Sequence, residues 1–236
     1  MKNGILKYIS SYKYKIEFHA HTTPELPPEK MISLLKEQGY HAVLLTNHFL
    51  CCDDNYNKGE EYVKDFLDAF YKTEEEGKKN NIKVFMGVEI RFAEGRNEFL
   101  TLGADENLLK DALSCGGIEE FHKKFHTDDI FVIQAHPFRT HCDCFPVNPE
   151  FLDGMEIMNM HPEQMSANAV AAKYASNTFS VVTAGTDVHY GEHIGLSAIK
   201  TRKLPNDIKE FIEIIKCKDY IFEIGGNPMF PYTLCK

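Results

Sequence analysis

The chain has 236 residues, a length that suits one large domain or at most two small ones. Hydrophobic residues make up 43% and charged residues 26%, which excludes disordered and fibrous architectures. Twenty-six Lys and Arg against 35 Asp and Glu give a formal charge of −9, which argues against general binding of nucleic acid or of anionic membranes. In chain order, Tyr14–Phe18 reads as a strand and Pro28–Gln38 as a helix opened by proline and closed by Gly39. Ala42–Thr46 is the next strand, and Glu60–Lys79 a long charged helix. Strands Ile82–Val88 and Glu98–Leu102 follow, then a short helix at Ile118–Phe125. Beyond them come strands Ile130–Ala135 and Gly154–Met158, an alanine-rich helix at Ser166–Ala175, and strands Phe179–Ala184 and Leu196–Lys200. Asn206–Lys216 is a helix with Ile208, Phe211, Ile212 and Ile215 on one face, and Tyr220–Ile224 is the last strand.

No repeat or linker divides this alternation, so residues 1–236 read as a single α/β domain with a mainly parallel sheet or barrel. An open doubly wound sheet is the competing architecture, but no G-x-G-x-x-G or G-x-x-x-x-G-K-[ST] follows a strand, which excludes a nucleotide-cradling loop. No apolar run reaches the ~18–20 residues of a membrane span, and Met1–Tyr14 is too polar for a signal peptide, so a cytoplasmic location is expected. Seven cysteines then read as reduced thiols; His141-Cys142-Asp143-Cys144 could clip a soft metal but lacks a second ligand pair.

The informative feature is what closes each strand. His19-Ala20-His21 follows the first, Asn47-His48 the second, Glu89 the third, His136-Pro137 the fifth, Asn159 the sixth, and Asp187-Val188-His189 the seventh. Strand C-termini of a parallel barrel converge on one rim, and i, i+2 spacing puts both side chains of a strand pair on one face. Imidazoles and carboxylates gathered this way suit zinc, iron or manganese. His161 and His193 lie near enough in sequence to support that rim or touch substrate, whereas His122 and His126 sit on a charged helix. No G-x-S-x-G elbow occurs, and no cysteine opens a C-x-x-x-x-x-R loop. Arg139 follows the His136 block, and its planar fork suits bidentate phosphate binding; Arg91 is two residues past Glu89.

Five blocks in this order resemble the polymerase and histidinol phosphatase (PHP) superfamily, from Glu17 to about Lys203: His19-Ala20-His21, Thr46-Asn47-His48, Gly87-Val88-Glu89, Ala135-His136-Pro137 and Asp187-Val188-His189. The resemblance implies a distorted (β/α)7 TIM-like barrel holding two to three divalent transition metals (Zn, Mn or Fe) at the C-terminal ends of its strands. It implies that Glu89 bridges two ions, one held by His19, His21 and Asp187 and the other by His136 and Glu98. A third would use His48, His189 and Glu25. The chain departs from many relatives after H-x-H-T, reading Thr23-Pro24-Glu25-Leu26 where they have S-D-G, and it carries Glu17 where they often have Asp.

The implied activity is metal-dependent hydrolysis of a small phosphomonoester by metal-activated hydroxide, because divalent ions neutralise phosphate oxygens and acidify water. Glu89, Asp187, His189 and Arg139 are then the expected catalytic residues, with Arg139, Arg91, Asn159 and His161 contacting substrate. Histidinol phosphate, a nucleotide, a phosphotyrosyl peptide and a sugar phosphate all remain open. Two rival readings stand beside it: a PHP module that binds metal without turnover, and an amidohydrolase-like C–N hydrolase. The latter usually wants a bridging Lys, whereas the bridging position here reads as Glu89.

Overall fold

The computed structural model describes residues 2–140 and 142–232, so the His141 member of the Cys142/Cys144 motif lies outside the described residues. The elements are α1 (Lys2–Ile9), β1 (Tyr14–Ala20), α2 (Pro28–Glu37), β2 (Ala42–Leu45), β3 (His48–Cys51), α3 (Asp53–Lys58), α4 (Glu60–Asn80), β4 (Lys83–Phe92), β5 (Glu98–Leu102), α5 (Glu106–Ala112), α6 (Ile118–Phe125), β6 (Phe131–Gln134), β7 (Gly154–Asn159), α7 (Asn168–Ala175), β8 (Val182–Gly185), β9 (Ser197–Thr201), α8 (Ile208–Lys216), β10 (Tyr220–Ile224) and β11 (Asn227–Met229). The strands join in one sheet, ordered β11-β10-β9-β1-β2-β4-β5-β6-β7-β8, with β3 beside β4.

The expected parallel pattern holds for β1-β2-β4 and for β6-β7-β8. It breaks in the middle, where β5 runs antiparallel to both β4 and β6. Residues 93–97 alone connect β4 to β5, far short of a helical crossover, so the chain must reverse. That reversal carries Glu98, the first residue of β5, to the rim where the parallel strands end. β2 and β3 are one path interrupted at Thr46-Asn47: Ala42–Leu45 pair with Lys83–Met86, and His48–Cys51 with Glu89–Phe92. β4 thus continues past the expected end at Val88, and Glu89 and Arg91 lie inside a strand.

The sheet curls back on its first strand. Just past β8, Val188 bridges Ala20 in parallel; the Val188 N–H donates to His19 O at 3.1 Å and the His21 N–H to Val188 O at 2.9 Å. The result is a barrel-like α/β fold with helices outside. In β1, Ile16 and Phe18 pack into a core with Phe211, Ile212 and Ile215 of α8, while Glu17 and His19 face the other way, as the period of two dictates. Phe66 and Leu67 of α4, Leu109 of α5 and Phe121 of α6 cover Phe49, Val88 and Phe99; Met31, Ile32 and Leu35 of α2 cover Val43 and Leu45. Elements without a sequence signal (α1, β3, α3, α5, β11) are short, so periodicity had few turns in which to show itself. α5 is instead fixed locally: the Leu108 N–H donates to the Asp105 cap at 2.8 Å. No described helix is long and apolar enough to cross a membrane.

Candidate metal centre

Glu89 is fully buried at the middle of the rim and is surrounded by imidazoles. His19 Nε2 lies 3.2 Å and His136 Nε2 3.1 Å from its Oε1, while His48 Nδ1 lies 2.8 Å and His21 Nε2 3.5 Å from its Oε2. Asp187 stands opposite, with its Oδ1 3.3 Å from His21 Nε2, 3.6 Å from His19 Nε2 and 3.3 Å from His189 Nδ1. Glu98 closes a third side, 3.5 Å from His136 Nε2 and 3.7 Å from His48 Nδ1. His48 and His189 face each other, Nε2 to Nε2, at 3.4 Å. Local register explains much of this: His48 on β3 sits directly opposite Glu89 on β4.

These residues fit divalent cations. Four overlapping groups bring their ligand atoms within 4.8 Å of one another: His19, His21 and Glu89; His19, His136 and Asp187; His48, Glu89 and Glu98; His21, His48 and His189. Buried and without hydrogen-bond partners are His19 Nε2, both ring nitrogens of His21, Glu89 Oε2 and Asp187 Oδ1. Leaving such groups unpaired is costly. Several separations of 3.2–3.6 Å are long for hydrogen bonds but match the edge of about 3.3 Å between ligands 2.0–2.1 Å from a tetrahedral ion. A cation would therefore satisfy atoms that the protein leaves facing one another.

The charges respond to each other. Burial opposes ionisation of Glu89, yet the His19 charge, the His136 hydrogen bond and the neighbouring His48 imidazole hold its carboxyl well below the usual range. Asp187 behaves alike, lowered against burial by His19 and His21. Burial and then the His48 charge push His21 down to about 3, which keeps its ring neutral, as ligation requires. The backbone is strained where the ligands turn inward: His136 has φ 26° and Asp187 φ 61°. Gly185 leaves room for the packing, because a Cβ there would lie 2.4 Å from His19 Cβ and 2.6 Å from Glu156 Oε1.

Of the residues singled out from sequence, His19, His21, His48, Glu89, Glu98, His136, Asp187 and His189 come together. Glu25 does not. The Thr23 and Leu26 backbones bond reciprocally, buried Leu26 anchors the turn, and Glu25 is left exposed outside every candidate ligand group among the described residues. Arg139 is buried, but its Nη2 donates to Asp187 and to Asn159 Oδ1 at 3.1 Å, leaving its Nε without a partner. Arg91 pairs with Glu98 at 3.5 Å, and Asn159 Nδ2 donates to Glu156 Oε2 at 3.0 Å. His161 is buried with its ring 5.5 Å from that of His189. The six described cysteines are free thiols.

Glu156 escaped the sequence reading, and Glu17 entered it only as a departure from the family pattern. Glu156 is buried and accepts from the His136 N–H at 3.0 Å, with His19 Nδ1 at the same distance. Glu17 is buried and accepts from the Thr186 hydroxyl at 2.8 Å and from the His19 N–H at 3.2 Å, tying β1 to the segment after β8. Burial pushes Glu17 up to about 7 against those hydrogen bonds. A carboxylate inside an apolar strand was the available signal for both.

No protein-family model matches the chain, and no curated protein sequence matches it. Solved structures do match. PsfC from Pseudomonas syringae PB-5123 aligns with a TM-score of 0.57 at 15% identity, over 84% of this chain and 87% of that one. An amidohydrolase from Chromobacterium violaceum, solved with bound sulfate and no metal, aligns with a TM-score of 0.52 at 14% identity, over 92% and 98%. A provisionally assigned metal-dependent phosphoesterase from Bifidobacterium adolescentis gives 0.49 at 13%, over 86% and 95%. At such identities the likeness shows the fold alone.

Proposed function

We propose that this chain is a metal-dependent phosphomonoesterase of the PHP type, a single domain whose strands β1-β2-β4-β5-β6-β7-β8, closed by the Ala20–Val188 bridge, form a distorted seven-stranded barrel. The observation that carries the reading is Glu89, one buried carboxylate within 3.5 Å of four imidazoles. Bound divalent cations supply Lewis acidity at phosphoryl oxygens and an acidified water. Zinc, manganese and iron all suit the donor set. The chain's own residues do the rest. Glu89 would be shared between two ions, with His19, His21 and Asp187 on one side and His136 and Glu98 on the other; His48 and His189 would hold a third.

Glu156 keeps His19 oriented by accepting at Nδ1, so that Nε2 faces the rim. His189 Nδ1 is held in the same way, 3.0 Å from the Asp187 carbonyl. Arg139 adds a buried positive charge beside Asp187, and its unpartnered Nε edge suits an anionic oxygen. Arg91 and Asn159 flank the same space. The residue facing the imidazoles is Glu89, where a C–N hydrolase of this type usually wants a bridging lysine.

The test pairs elemental analysis with turnover of phosphomonoester and amide panels after loading with zinc, manganese or iron. Phosphatase turnover with more than one equivalent of metal per chain supports the reading. Amide turnover alone would move the site to C–N hydrolysis, and full metal with no turnover to a binding module.

A further inference from the structure

The histidines near the rim divide by which ring nitrogen the protein occupies. His19 Nδ1 meets the Glu156 carboxylate and His189 Nδ1 meets the Asp187 carbonyl, both at 3.0 Å. Those oxygens accept, so each Nδ1 carries a proton and each Nε2 is the atom left to give a lone pair to a cation once the ring is neutral. His161 and His193 are set the other way. The Glu163 backbone N–H donates to His161 Nδ1 at 3.2 Å, and the His189 backbone N–H donates to His193 Nδ1 at 3.3 Å. A backbone N–H can only donate, so in both rings the lone pair sits on Nδ1 and the proton on Nε2.

The consequence is chemical. His161, Glu163 and His193 bring one ligand atom each within 4.8 Å, the spacing of a cation site. Yet both ring lone pairs are already used by the backbone, and what remains is two N–H donors and one carboxylate acceptor. The rings are 8% and 1% exposed, lie 4.7 Å apart, and the His161 ring is 5.5 Å from that of His189. Neither Nε2 belongs to the buried atoms left unpaired, so these N–H edges open to their surroundings and can meet an acceptor there. A second phosphate or carboxylate on the substrate would be repelled by Glu163, and the Arg139 charge that reaches His161 is already paired with Asp187. A hydroxyl fits both halves, because it accepts from an N–H and donates to a carboxylate.

We propose that His161, His193 and Glu163 bind hydroxyl groups on the alcohol portion of the substrate, so that the site selects phosphate monoesters of polyhydroxylated alcohols. This rests on the phosphomonoesterase reading of the adjoining centre. The trio is a specificity device beside the metal ligands and holds no cation of its own.

Two measurements on the zinc-loaded protein test it. Long-range proton–nitrogen NMR of the histidine rings should find His161 and His193 protonated at Nε2 and His19 and His189 at Nδ1. Metal bonded to Nε2 of His161 or His193, or a metal equivalent lost in His161→Gln, overturns the proposal. Kinetics should show a preference for glycerol 1-phosphate over propyl phosphate. In the double variant His161→Leu/His193→Leu, the ratio of the two kcat/KM values should fall roughly 10- to 100-fold, the scale of two lost neutral hydrogen bonds. His161→Gln, which keeps a side-chain N–H, should retain most of the ratio. An unchanged ratio in the double variant, at full metal content, overturns the assignment. Wild-type protein that turns over neither ester refutes the phosphomonoesterase reading and this substrate class with it, while the ring NMR still decides whether the trio is a donor pair or a cation site.

Discussion

The two ends of the curled sheet follow opposite rules. At the rim where β1 and β8 finish, buried nitrogens and oxygens face one another unpaired and the backbone is strained at His136 and Asp187. At the other end, where β4 begins, a cleft of about 760 Å³ is lined by Phe70, Tyr71, Met86, Leu204 and Ile208. Its charges are paired: Lys83 Nζ donates to Pro205 O at 2.7 Å and Lys78 Nζ to Glu74 at 2.6 Å. The difference teaches where this fold spends stability. At the rim polar groups stay unsatisfied where a ligand can complete them, and at the opposite cleft the protein supplies the partners of Lys78 and Lys83 itself.

Four substitutions can break or sharpen that contrast. The largest effect is expected for Glu89→Gln, which removes the carboxylate charge facing four imidazoles. Metal content and kcat should fall together, the rate by at least about 1,000-fold, since even supporting residues of a metal site cost ~10–100-fold. Elemental analysis beside steady-state kinetics reads both; full metal and full rate would remove Glu89 from the bridging role. Arg139→Ala comes next. Metal content should hold while kcat/KM falls about 30- to 1,000-fold, the roughly 2–4 kcal/mol of a charge-assisted contact. A rise in KM with kcat intact would assign the arginine to uniform substrate binding, and a fall in kcat to the transition state.

At the opposite end, Gly77→Ala should act on stability alone. The added Cβ would lie 2.6 Å from Ile82 O and 2.7 Å from Val84 Cγ2, where α4 meets the start of β4. Overpacking of this kind costs about 1–3 kcal/mol, partly offset by better helix propensity. The urea midpoint should drop while metal stoichiometry stays unchanged; a loss of metal would show that the two ends are coupled. The smallest effect is expected for Glu25→Ala, whose carboxylate lies on the exposed turn. Activity and metal content should stay within about twofold, and loss of one metal equivalent would return Glu25 to the ligand set.

Much of the site was legible because ligand-type residues interrupt apolar strands. His19 and His21 share a face by strand period, and Asp187, His136 and Glu89 end or extend strands that periodicity finds. Glu98 was legible as a residue, but its presence on the rim follows from β5 running backwards, which a β-then-α reading did not anticipate. Glu25 lies outside the candidate groups among the described residues because a resemblance aligns positions, while the Thr23–Leu26 turn decides which residue is buried and which exposed. Glu156 was passed over, and Glu17 was noted without a role, because a lone carboxylate in a strand has no periodic partner to mark it.

The sequence by itself determined the longer strands and helices, the acidic composition and the chemistry of the candidate ligands, since these depend on residue type and on spacings of two to four. Tertiary structure alone decided which of those ligands meet. His48 and Glu89 are 41 positions apart and Glu89 and Asp187 are 98 apart, so their contacts depend on strand register and on closure of the sheet at Val188. It also decided what each imidazole can offer. His19 and His161 are the same residue type in the sequence, and the partner at Nδ1, a carboxylate for one and a backbone N–H for the other, turns Nε2 of the first towards the rim as a candidate ligand atom and makes Nε2 of the second a hydrogen-bond donor.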